Sequence, residues 1–292
     1  MIIANIVGGL GNQMFQYACG RAVSLRTKQS LRITSDQFVN YKLHNGFELQ
    51  RTFGDHFDVA SDRELKRLIG WQSAPTLRRV LSKPAMSWLR KGLWSNEPYF
   101  HYWPGIWNIT ESAYLHGYWQ SELYFADMAD HIREDFVFCM PWDDADRAIL
   151  ARMQSRPSAS LHVRRGDYTS AKNQHVYALC GMDYYRTAIR LMRSRVPGIR
   201  FFAFSDDPDW VASQFRDEMN QIEVVRHNSG VRSAFDMRLM SQADHHILAN
   251  SSFSWWGAWL NPSPEKIVVA PKNWFSNGTS DKDIIPSRWL RV

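Results

Sequence analysis

The stretch that decides the fold is Ser160-Leu161-His162-Val163, which the polar run Arg164-Arg165-Gly166-Asp167 follows at once. Short apolar runs that end in polar turns are typical of buried strands. From this point to its end, the chain alternates between strand-like and helix-like periodicity. The predicted strands are residues 160–163, 200–205, 222–225, 246–249 and 267–270, and the predicted helices are 184–196, 209–216, 234–242 and 253–260. This alternation indicates a doubly wound parallel α/β sheet, because successive parallel strands need helical crossovers.

The N-terminal part begins with a similar rhythm and then loses it. An apolar run at residues 2–7 leads into a glycine-rich turn, a helical pattern and a short strand-like run at 31–33. From about residue 50 to residue 141 the pattern is irregular and rich in Trp and Pro. We therefore predict two Rossmann-like lobes that face each other across a cleft, formed by residues 1–150 and 151–292.

Composition limits the class of protein before any motif is considered. The 292 residues are 45% hydrophobic and 22% charged, which is typical of a packed globular protein and excludes general disorder. There are 35 Lys and Arg residues against 29 Asp and Glu, so the net charge of +6 favours an anionic partner without naming its kind. The 13 Trp, 16 Phe and 11 Tyr residues suit a protein that handles ring-shaped molecules, although most are expected in the core.

The sequence indicates a cytoplasmic protein. Its three cysteines, Cys19, Cys139 and Cys180, form no C-x-x-C pair, which fits a reducing compartment. The apolar start lacks a basic region and a cleavage site, so we expect no signal peptide. No apolar run approaches the ~20 residues that cross a bilayer.

Polar residues follow three predicted strands, at the edge where open α/β sheets bind ligands. Arg164 and Arg165 follow the first of these strands, and Asp206 follows the second. The third leads into a helix start made of Asn250, Ser251, Ser252, Phe253 and Ser254. Guanidinium groups and helix N-termini both bind phosphate, and a carboxylate can accept hydrogen bonds from guanine or ribose. The arrangement therefore predicts a site for a nucleoside diphosphate.

Each of these residues also has an ordinary structural interpretation. The two arginines could form surface ion pairs, the serines and Asp207 could cap helices, and His162 could be a core histidine. Their shared position at strand ends favours the ligand site over this reading. The glycine turn at residues 8–13 lacks the third glycine of the dinucleotide fingerprint, so it is a poor NAD site. It is either a tight turn or a loop that presents Asn12 and Gln13 to a ligand.

Two D-x-D tripeptides, Asp144-Ala145-Asp146 and Asp207-Pro208-Asp209, leave open a metal-dependent transferase. The tripeptide is common by chance, the first copy lies away from any predicted strand end, and the second begins a helix. The neighbouring arginines could neutralise a diphosphate instead. We therefore predict that no metal is required.

Several motifs, in this order, resemble those of the bacterial α-1,2-fucosyltransferases. They are GGLGNQ at residues 8–13, GYWQSE at 117–122, HVRRGD at 162–167, FSDD at 204–207 and NSSFSWWG at 250–257. The resemblance runs from residue 2 to beyond residue 275 and weakens between about 60 and 110, where acceptor recognition is expected.

This resemblance implies a GT-B-like enzyme that moves L-fucose from GDP-β-L-fucose to the 2-hydroxyl of a terminal galactose, with inversion and without a metal or other cofactor. Residues 1–150 would form the acceptor-side lobe, and residues 151–292 would bind the GDP-sugar. Arg164 would hold the β-phosphate of the leaving GDP. The other donor-binding residues would be His162, Arg165, Asp206, Asn250, Ser251, Ser252, Phe253 and Ser254.

The resemblance also supplies candidates for catalysis and acceptor binding. Arg164, Asn12 and Asp167 are the catalytic candidates. The acceptor-binding candidates are Gln13, Trp119, Gln120 and Glu122. Asp167 and Glu122 could each take the proton of the acceptor hydroxyl, but a dissociative path needs no strong base, so that role stays unassigned.

The implied acceptor is a galactose-terminated oligosaccharide, either free or lipid-linked, in the synthesis of a surface polysaccharide such as O-antigen. The basic run from Arg78 to Lys91, interleaved with apolar residues, could lie on the inner membrane surface. A fucosyltransferase with a different acceptor or linkage is the nearest alternative. A nucleic-acid-binding protein is disfavoured, because the arginines are dispersed along the chain and no binding motif occurs.

Overall fold

The computed structural model describes residues 1–39, 44–166 and 180–292, and these divide into two compact units. The first unit comprises Met1–Met140 together with Lys282–Ile284. The second comprises Pro141–Asp281 together with Ile285–Val292. Asp167, the catalytic candidate that follows the two arginines, lies outside the described residues.

The first unit contains a parallel sheet with the strand order β2-β1-β4-β3. Its strands are β1 (Ile2–Asn5), β2 (Leu31–Thr34), β3 (Trp94–Asn96) and β4 (Ala113–His116). Its α-helices are α1 (Leu10–Thr27), α2 (Leu49–Phe53), α3 (Asp62–Ile69), α4 (Pro75–Leu81) and α5 (Ala129–Asp135), and short 3₁₀ turns connect them.

Two glycines allow the first βα unit to pack closely. Gly8 has φ 81°, a left-handed conformation that turns the chain from β1 into α1. A Cβ on Gly20 would lie 2.9 Å from the Cβ of Ala4, so α1 approaches β1 more closely than a larger residue would permit. The glycine-rich start is therefore a tight βα turn and the beginning of a buried helix.

The second unit contains a parallel sheet with the strand order β10-β9-β8-β5-β6-β7. Its strands are β5 (Ser158–Val163), β6 (Arg200–Ser205), β7 (Ile222–Val224), β8 (His245–Ile247), β9 (Val268–Ala270) and β10 (Leu290–Arg291). Its helices are α6 (Asp144–Gln154), α7 (Met182–Arg195), α8 (Pro208–Gln214), α9 (Ser233–Ser241) and α10 (Ser252–Leu260). The predicted α/β alternation is confirmed, with boundaries that differ by one or two residues.

The central strand β5 has a different chemistry on each face of the sheet. Leu161 and Val163 belong to an apolar core with Ile189 of α7 and Val211 of α8. On the other face, the Ser160 hydroxyl lies 2.9 Å from Nδ1 of His246, and the His162 ring lies 5.7 Å from that of Phe253 in α10. The doubly wound arrangement therefore leaves polar groups of β5 on the face that carries α10.

The sequence patterns missed the strands that complete the first sheet. β3 and β4 lie in the irregular Trp- and Pro-rich part of the chain, and they are three and four residues long, too short for a periodic pattern. Within the described ranges, no helix has both the length and the apolar character that crossing a bilayer requires.

Candidate functional site

Three polar segments lie at the carboxyl edge of the second sheet because of the strand register. Val163 pairs with Ser205 in β6, so Arg164 and Asp206 leave the sheet side by side. Leu161 pairs with Ile247 in β8, and the next residues of that strand lead into the start of α10. The sheet therefore brings together the segments that the sequence predicted, at the edge where such sheets bind ligands.

Arg164 is held by the carboxylate of Asp206. Its Nη1 lies 3.0 Å from Oδ2 of Asp206, and both side chains are about one-quarter exposed. The other carboxylate oxygen accepts a hydrogen bond of 2.9 Å from the backbone N–H of Arg165. Asp206 therefore fixes both the guanidinium group and the backbone of the turn that carries it.

Gly166 is the residue that lets this turn close over Asp206. A Cβ at position 166 would lie 2.5 Å from Oδ2 of Asp206, the oxygen that pairs with Arg164. A side chain there would have to displace the carboxylate or the turn. Steric crowding by Asp206 thus explains why the HVRRGD motif has a glycine at this position, which the sequence alone did not reveal.

Arg165 is held in a different way from Arg164. Its guanidinium carbon lies 3.8 Å from the ring centroid of Trp210, and its Nε donates to Asp207 at 3.2 Å. Asp207 also caps α8, because its Oδ1 accepts from the backbone N–H of Trp210 at 3.2 Å. The capping role considered for Asp207 is confirmed, and Arg165 is braced against the helix that follows β6.

The start of α10 combines side-chain capping with a first turn that contains no acidic residue. The Ser251 hydroxyl accepts from the backbone N–H of Phe253 at 3.3 Å, so Ser251 is the N-cap. Ser254 is buried, and its hydroxyl donates to the carbonyl groups of Ala249 and Ser251. The first turn of α10 contains no acidic residue, so the positive end of the helix dipole favours an anion there.

Asn250, which precedes the cap, ties this edge to two other segments. Its Nδ2 donates to the carbonyl of Trp274 at 2.9 Å, and its Oδ1 lies 3.5 Å from Sγ of Cys180. The side chain is buried. Asn250 therefore anchors the loop before α10, and a direct contact with a donor nucleotide stays a prediction.

His162 is a buried histidine whose side chain has one ring nitrogen, Nδ1, without a hydrogen bond in the described part of the chain. The residue is 5% exposed. Burial, with a smaller contribution from the nearby positive charge of Arg164, lowers the pKa of this imidazole to about 4, so the ring is neutral at pH 7. A neutral imidazole with an unused ring nitrogen beside an arginine suits hydrogen bonding to a bound molecule.

The lowered pKa of His162 predicts a loss of stability in acid. An unfolded histidine takes up a proton near pH 6.5, whereas the folded one does so near pH 4, so this stabilisation is present above pH 6.5 and disappears as the pH falls towards 4. A shift of this size corresponds to about 3 kcal/mol. Thermal unfolding of His162→Asn and the wild type should therefore show a flatter pH dependence for the variant between pH 7 and pH 4. Parallel curves would contradict this assignment.

In the first unit, the side chains of Asn12 and Gln120 form a hydrogen bond. Nε2 of Gln120 donates to Oδ1 of Asn12 at 2.7 Å, although these residues are far apart in the sequence. Asn12 lies in the first turn of α1, and Gln120 follows β4. Glu122 lies in the 3₁₀ turn just beyond and is half-buried. Asn12, Gln120 and Glu122 stay acceptor-side or catalytic predictions.

Among the described residues, the side chain of Gln13 forms hydrogen bonds with backbone groups of neighbouring segments. The side chain is fully buried, and its Nε2 donates to the carbonyl groups of Gly8 and Gly46 at 2.9 and 2.8 Å. Its Oε1 accepts from the backbone N–H of Glu48 at 2.9 Å. These bonds hold the glycine turn to the segment before α2 and account for the residue, whereas its predicted acceptor contact stays untested.

Trp119 is a core residue with an unusual backbone. It is 1% exposed, packs edge-on against Tyr124 at 5.4 Å between ring centroids, and has φ 54°, which is rare for a bulky residue. The carboxylate of Glu97 stabilises this turn by accepting from the backbone N–H groups of Tyr118 and Trp119 at 2.7 and 3.0 Å. In this conformation the ring offers no open stacking face, so its acceptor role would need the turn to move.

The sequence analysis missed a buried polar network in the second unit. The carboxylate of Asp146, fully buried at the start of α6, accepts from His227 and Asn228 at 2.8 Å each. Asn228 also donates to Asp236 at 3.0 Å, and burial raises the pKa of Asp236 to about 8. The available signal was an acidic residue between apolar neighbours in the helical run Ala-Phe-Asp-Met at residues 234–237.

The D-x-D residues are engaged with cations of the protein itself. Asp146 and its neighbour Asp143, which with His227 could surround an ion, both contact the guanidinium group of Arg232. Of the second tripeptide, Asp207 pairs with Arg165 and Asp209 with Arg226. Each tripeptide thus contains carboxylates that form ion pairs with arginine, and the independence of the reaction from a metal stays a prediction.

Comparison with known proteins decides the family. The family description "Glycosyl transferase family 11" matches residues 92–291, which include the whole carboxyl edge described above. This chain belongs to that family. The enzyme is therefore a glycosyltransferase, and the resemblance read from the motifs is confirmed.

Two relatives from Escherichia coli match along nearly their full length. One is an alpha-1,2-colitosyltransferase, 34% identical over 295 residues that cover 100% of this chain and 99% of the relative. The other is the O-antigen biosynthesis glycosyltransferase WbnK, 30% identical over 301 residues that cover 98% of each chain.

Solved structures agree on the fold. The alpha-1,6-fucosyltransferase NodZ from Bradyrhizobium, co-crystallised with GDP, matches with a TM-score of 0.54 at 14% identity, over 89% of this chain and 92% of that chain. Each of the two parallel α/β units is thus a Rossmann-like lobe, and the GT-B-like fold class that the resemblance implied is confirmed.

Proposed function

We propose that this glycosyltransferase moves L-fucose from GDP-β-L-fucose to the 2-hydroxyl of a terminal galactose, with inversion to an α-1,2 linkage. The observation that supports this most is Arg164 at the carboxyl edge of β5, fixed by Asp206 beside the start of α10. A permanently charged fork and a positive helix terminus at one sheet edge suit a diphosphate. The α-1,2 linkage is supported by the relative named for that linkage.

The reaction breaks the bond between C1 of the sugar and the β-phosphate oxygen of GDP. Negative charge then builds on the β-phosphate while the sugar acquires oxocarbenium character. A guanidinium group already in place stabilises that charge more in the transition state than in the ground state, which is what accelerates a reaction. We assign this role to Arg164, because Asp206 holds it in position before the donor arrives.

The other residues proposed to contact the donor lie at the same carboxyl edge of the second sheet. His162 offers its unused ring nitrogen, and Arg165 is braced for a second contact by Trp210. We propose that Ser252 and Phe253, both half-buried in the first turn of α10, line the diphosphate and nucleoside site. Asn250, Ser251 and Ser254 shape this turn through their hydrogen bonds.

The acceptor oxygen forms its bond to C1 from the opposite face of the sugar and loses its proton. Because the leaving group departs early on a dissociative path, this proton can be lost late and to a weak base. Asn12, held by Gln120, is our candidate for orienting the reacting groups from the first unit. We leave the identity of the base open between Glu122 and Asp167.

A GDP-linked colitose is a second candidate donor, because one of the relatives is named for the transfer of colitose. The relative that is 34% identical over the whole chain is named a colitosyltransferase. Colitose is fucose without its 3-hydroxyl group, so both sugars would be carried as similar GDP esters. A site that hydrogen-bonds the 3-hydroxyl would reject the deoxy sugar by a factor of about 10⁴, whereas an apolar site would discriminate about 10²-fold at most.

The proposal is tested first by nucleotide binding. In a thermal-shift panel of GDP, UDP, ADP and NAD, we expect GDP to raise the melting temperature, because ligands that bind the folded state stabilise it by mass action. Transfer assays with GDP-fucose and GDP-colitose on a galactose-terminated oligosaccharide then identify the sugar, and EDTA should leave the rate unchanged. Stabilisation by another nucleotide would overturn the donor, and loss of activity in EDTA would overturn metal independence.

We place the reaction in the cytoplasm, in the assembly of a surface polysaccharide. The O-antigen relative, 30% identical over nearly its whole length, supports this placement. The acceptor would then be a galactose-terminated oligosaccharide, and a lipid-linked one would require the enzyme to work at a membrane surface.

A further inference from the structure

In the first unit, the segment from the 3₁₀ turn after α3 to the start of β3 exposes apolar side chains among basic ones. We call these exposed side chains together the basic apolar surface. Its apolar members are Trp71, Leu77, Val80, Trp88 and Leu93, which are 39 to 75% exposed. Its basic members are the exposed residues Arg79, Lys83 and Lys91. A concentration of large exposed apolar groups in one short segment marks an interaction site.

Helix α4 buries an arginine beside Leu81 while it exposes two of its other apolar side chains. Arg78 is 2% exposed, and it pairs with Asp36 and donates to the carbonyl of Ser73 at 3.0 Å. Leu77 and Val80, three residues apart on the same helix, are 39 and 44% exposed. The protein therefore buries a charge, at a cost in desolvation, while it leaves apolar groups on the outside. This orientation is expected when the apolar side has a partner.

Hydrogen bonds to backbone atoms hold the segment in this shape. The side chain of Gln72 donates to the carbonyl of Lys91 at 2.9 Å and accepts from its N–H at 3.0 Å. Arg90 donates to the carbonyl groups of Leu81 and Lys83 at 2.7 and 3.0 Å. Arg78 and Arg90 thus stabilise the fold of the segment. The prediction that the whole basic run from Arg78 to Lys91 lies on a membrane surface is therefore wrong for these two residues. The side chains of Arg79, Lys83 and Lys91 are exposed and can contact a partner.

The charge of the segment selects the partner. From Leu65 to Asn96 the sequence contains seven basic residues and no acidic one. A second copy of the same surface would bring these positive charges together, which opposes a symmetric dimer. An anionic lipid surface offers negative headgroups for the cations and an interfacial region in which tryptophan rings are favoured.

We propose that the basic apolar surface docks the enzyme on an anionic lipid bilayer, with Trp88 entering the headgroup region and the basic residues contacting lipid phosphates. Trp88 is the most exposed of the apolar members, at 75%. Such binding is peripheral, because it combines a small buried apolar area with electrostatic attraction. It requires neither donor nor acceptor, so it is independent of the proposed transfer reaction.

The test is flotation of the purified enzyme with vesicles, without any substrate. Vesicles of phosphatidylglycerol and phosphatidylethanolamine should bind it, vesicles of phosphatidylcholine should bind it far less, and rising salt should weaken the binding. The triple variant Arg79→Gln, Lys83→Gln, Lys91→Gln should bind about 100-fold more weakly, because each cation near an anionic surface contributes a factor of about five. Trp88→Ser should also reduce binding at high salt, where the apolar contribution remains.

Matched variants separate this surface from general charge and hydrophobicity. The triple variant Arg186→Gln, Arg190→Gln, Arg195→Gln removes the same charge from exposed positions of α7, and Val137→Ser removes an apolar residue that is 64% exposed. Both should bind vesicles like the wild type. The proposal is overturned if the α7 variant loses as much binding, if anionic and neutral vesicles bind equally, or if Trp88→Ser abolishes self-association in place of vesicle binding. None of these results would affect nucleotide binding, so the donor assignment is judged separately.

Discussion

Replacing Arg164 by alanine is expected to lower kcat by a factor of about 10²–10³, the usual cost of removing a preplaced group that stabilises transition-state charge. Lysine at this position should restore little, because an ammonium group cannot reproduce the forked geometry of the guanidinium group. The loss should appear in kcat more than in KM for the donor, since the interaction strengthens as the β-phosphate departs. Steady-state kinetics with the GDP-sugar measure both constants.

The matched control is Arg200→Ala, which removes an arginine from the same sheet. Arg200 begins β6, at the end of the strand opposite Asp206, and pairs with Glu223 at 3.0 Å. It should leave kcat close to the wild-type value. An Arg164→Lys enzyme with near wild-type kcat would remove Arg164 from the role of leaving-group stabiliser.

Removing the Asp206 carboxylate is expected to reduce kcat about 10²-fold, even though Arg164 itself is present. Asp206→Ala frees the guanidinium group and loosens the backbone of the turn at Arg165, and a displacement of about 1 Å in a catalytic group can cost this much. Gly166→Ala should have a similar effect, since its new Cβ would meet Oδ2 of Asp206. Agreement between the two variants would show that position, and not charge alone, matters.

Gly181→Ala provides the control for the glycine substitution. Gly181 precedes α7 in the same unit, and a Cβ there would have no heavy atom of the described residues within 4 Å, so this variant should keep its activity. Melting temperatures of all the variants distinguish a misplaced arginine from a destabilised unit. If Asp206→Ala were as active as the wild type, Asp206 would not position Arg164, and the carboxylate would have to be assigned another role.

The second unit could be predicted from the sequence because its elements are locally regular. β5 is a continuous buried run of six residues, β6 is buried over its four central residues, and the segments after both strands are polar. Parallel topology then brings the ends of these strands to one edge without further information. The pairing of Arg164 with Asp206 could not be deduced in the same way, because it depends on register and on the steric requirement at Gly166.

The first unit shows what local patterns cannot predict. β3 and β4 join a sheet whose other strands lie some 60 to 110 residues earlier, so their identity depends on long-range pairing. Gln13 resembled a ligand-binding residue at a helix start, yet its amide holds three backbone groups in place. Trp119 resembled a sugar-stacking residue, yet it is buried against Tyr124. Both outcomes depend on tertiary neighbours that composition does not reveal.

The most direct test of the donor assignment is a crystal structure of this enzyme with GDP. The proposed site predicts β-phosphate oxygens within hydrogen-bond distance of the Arg164 guanidinium group, next to the first turn of α10. Ordered GDP with its β-phosphate held by other residues, away from the carboxyl edge of β5 and β6, would contradict the assignment.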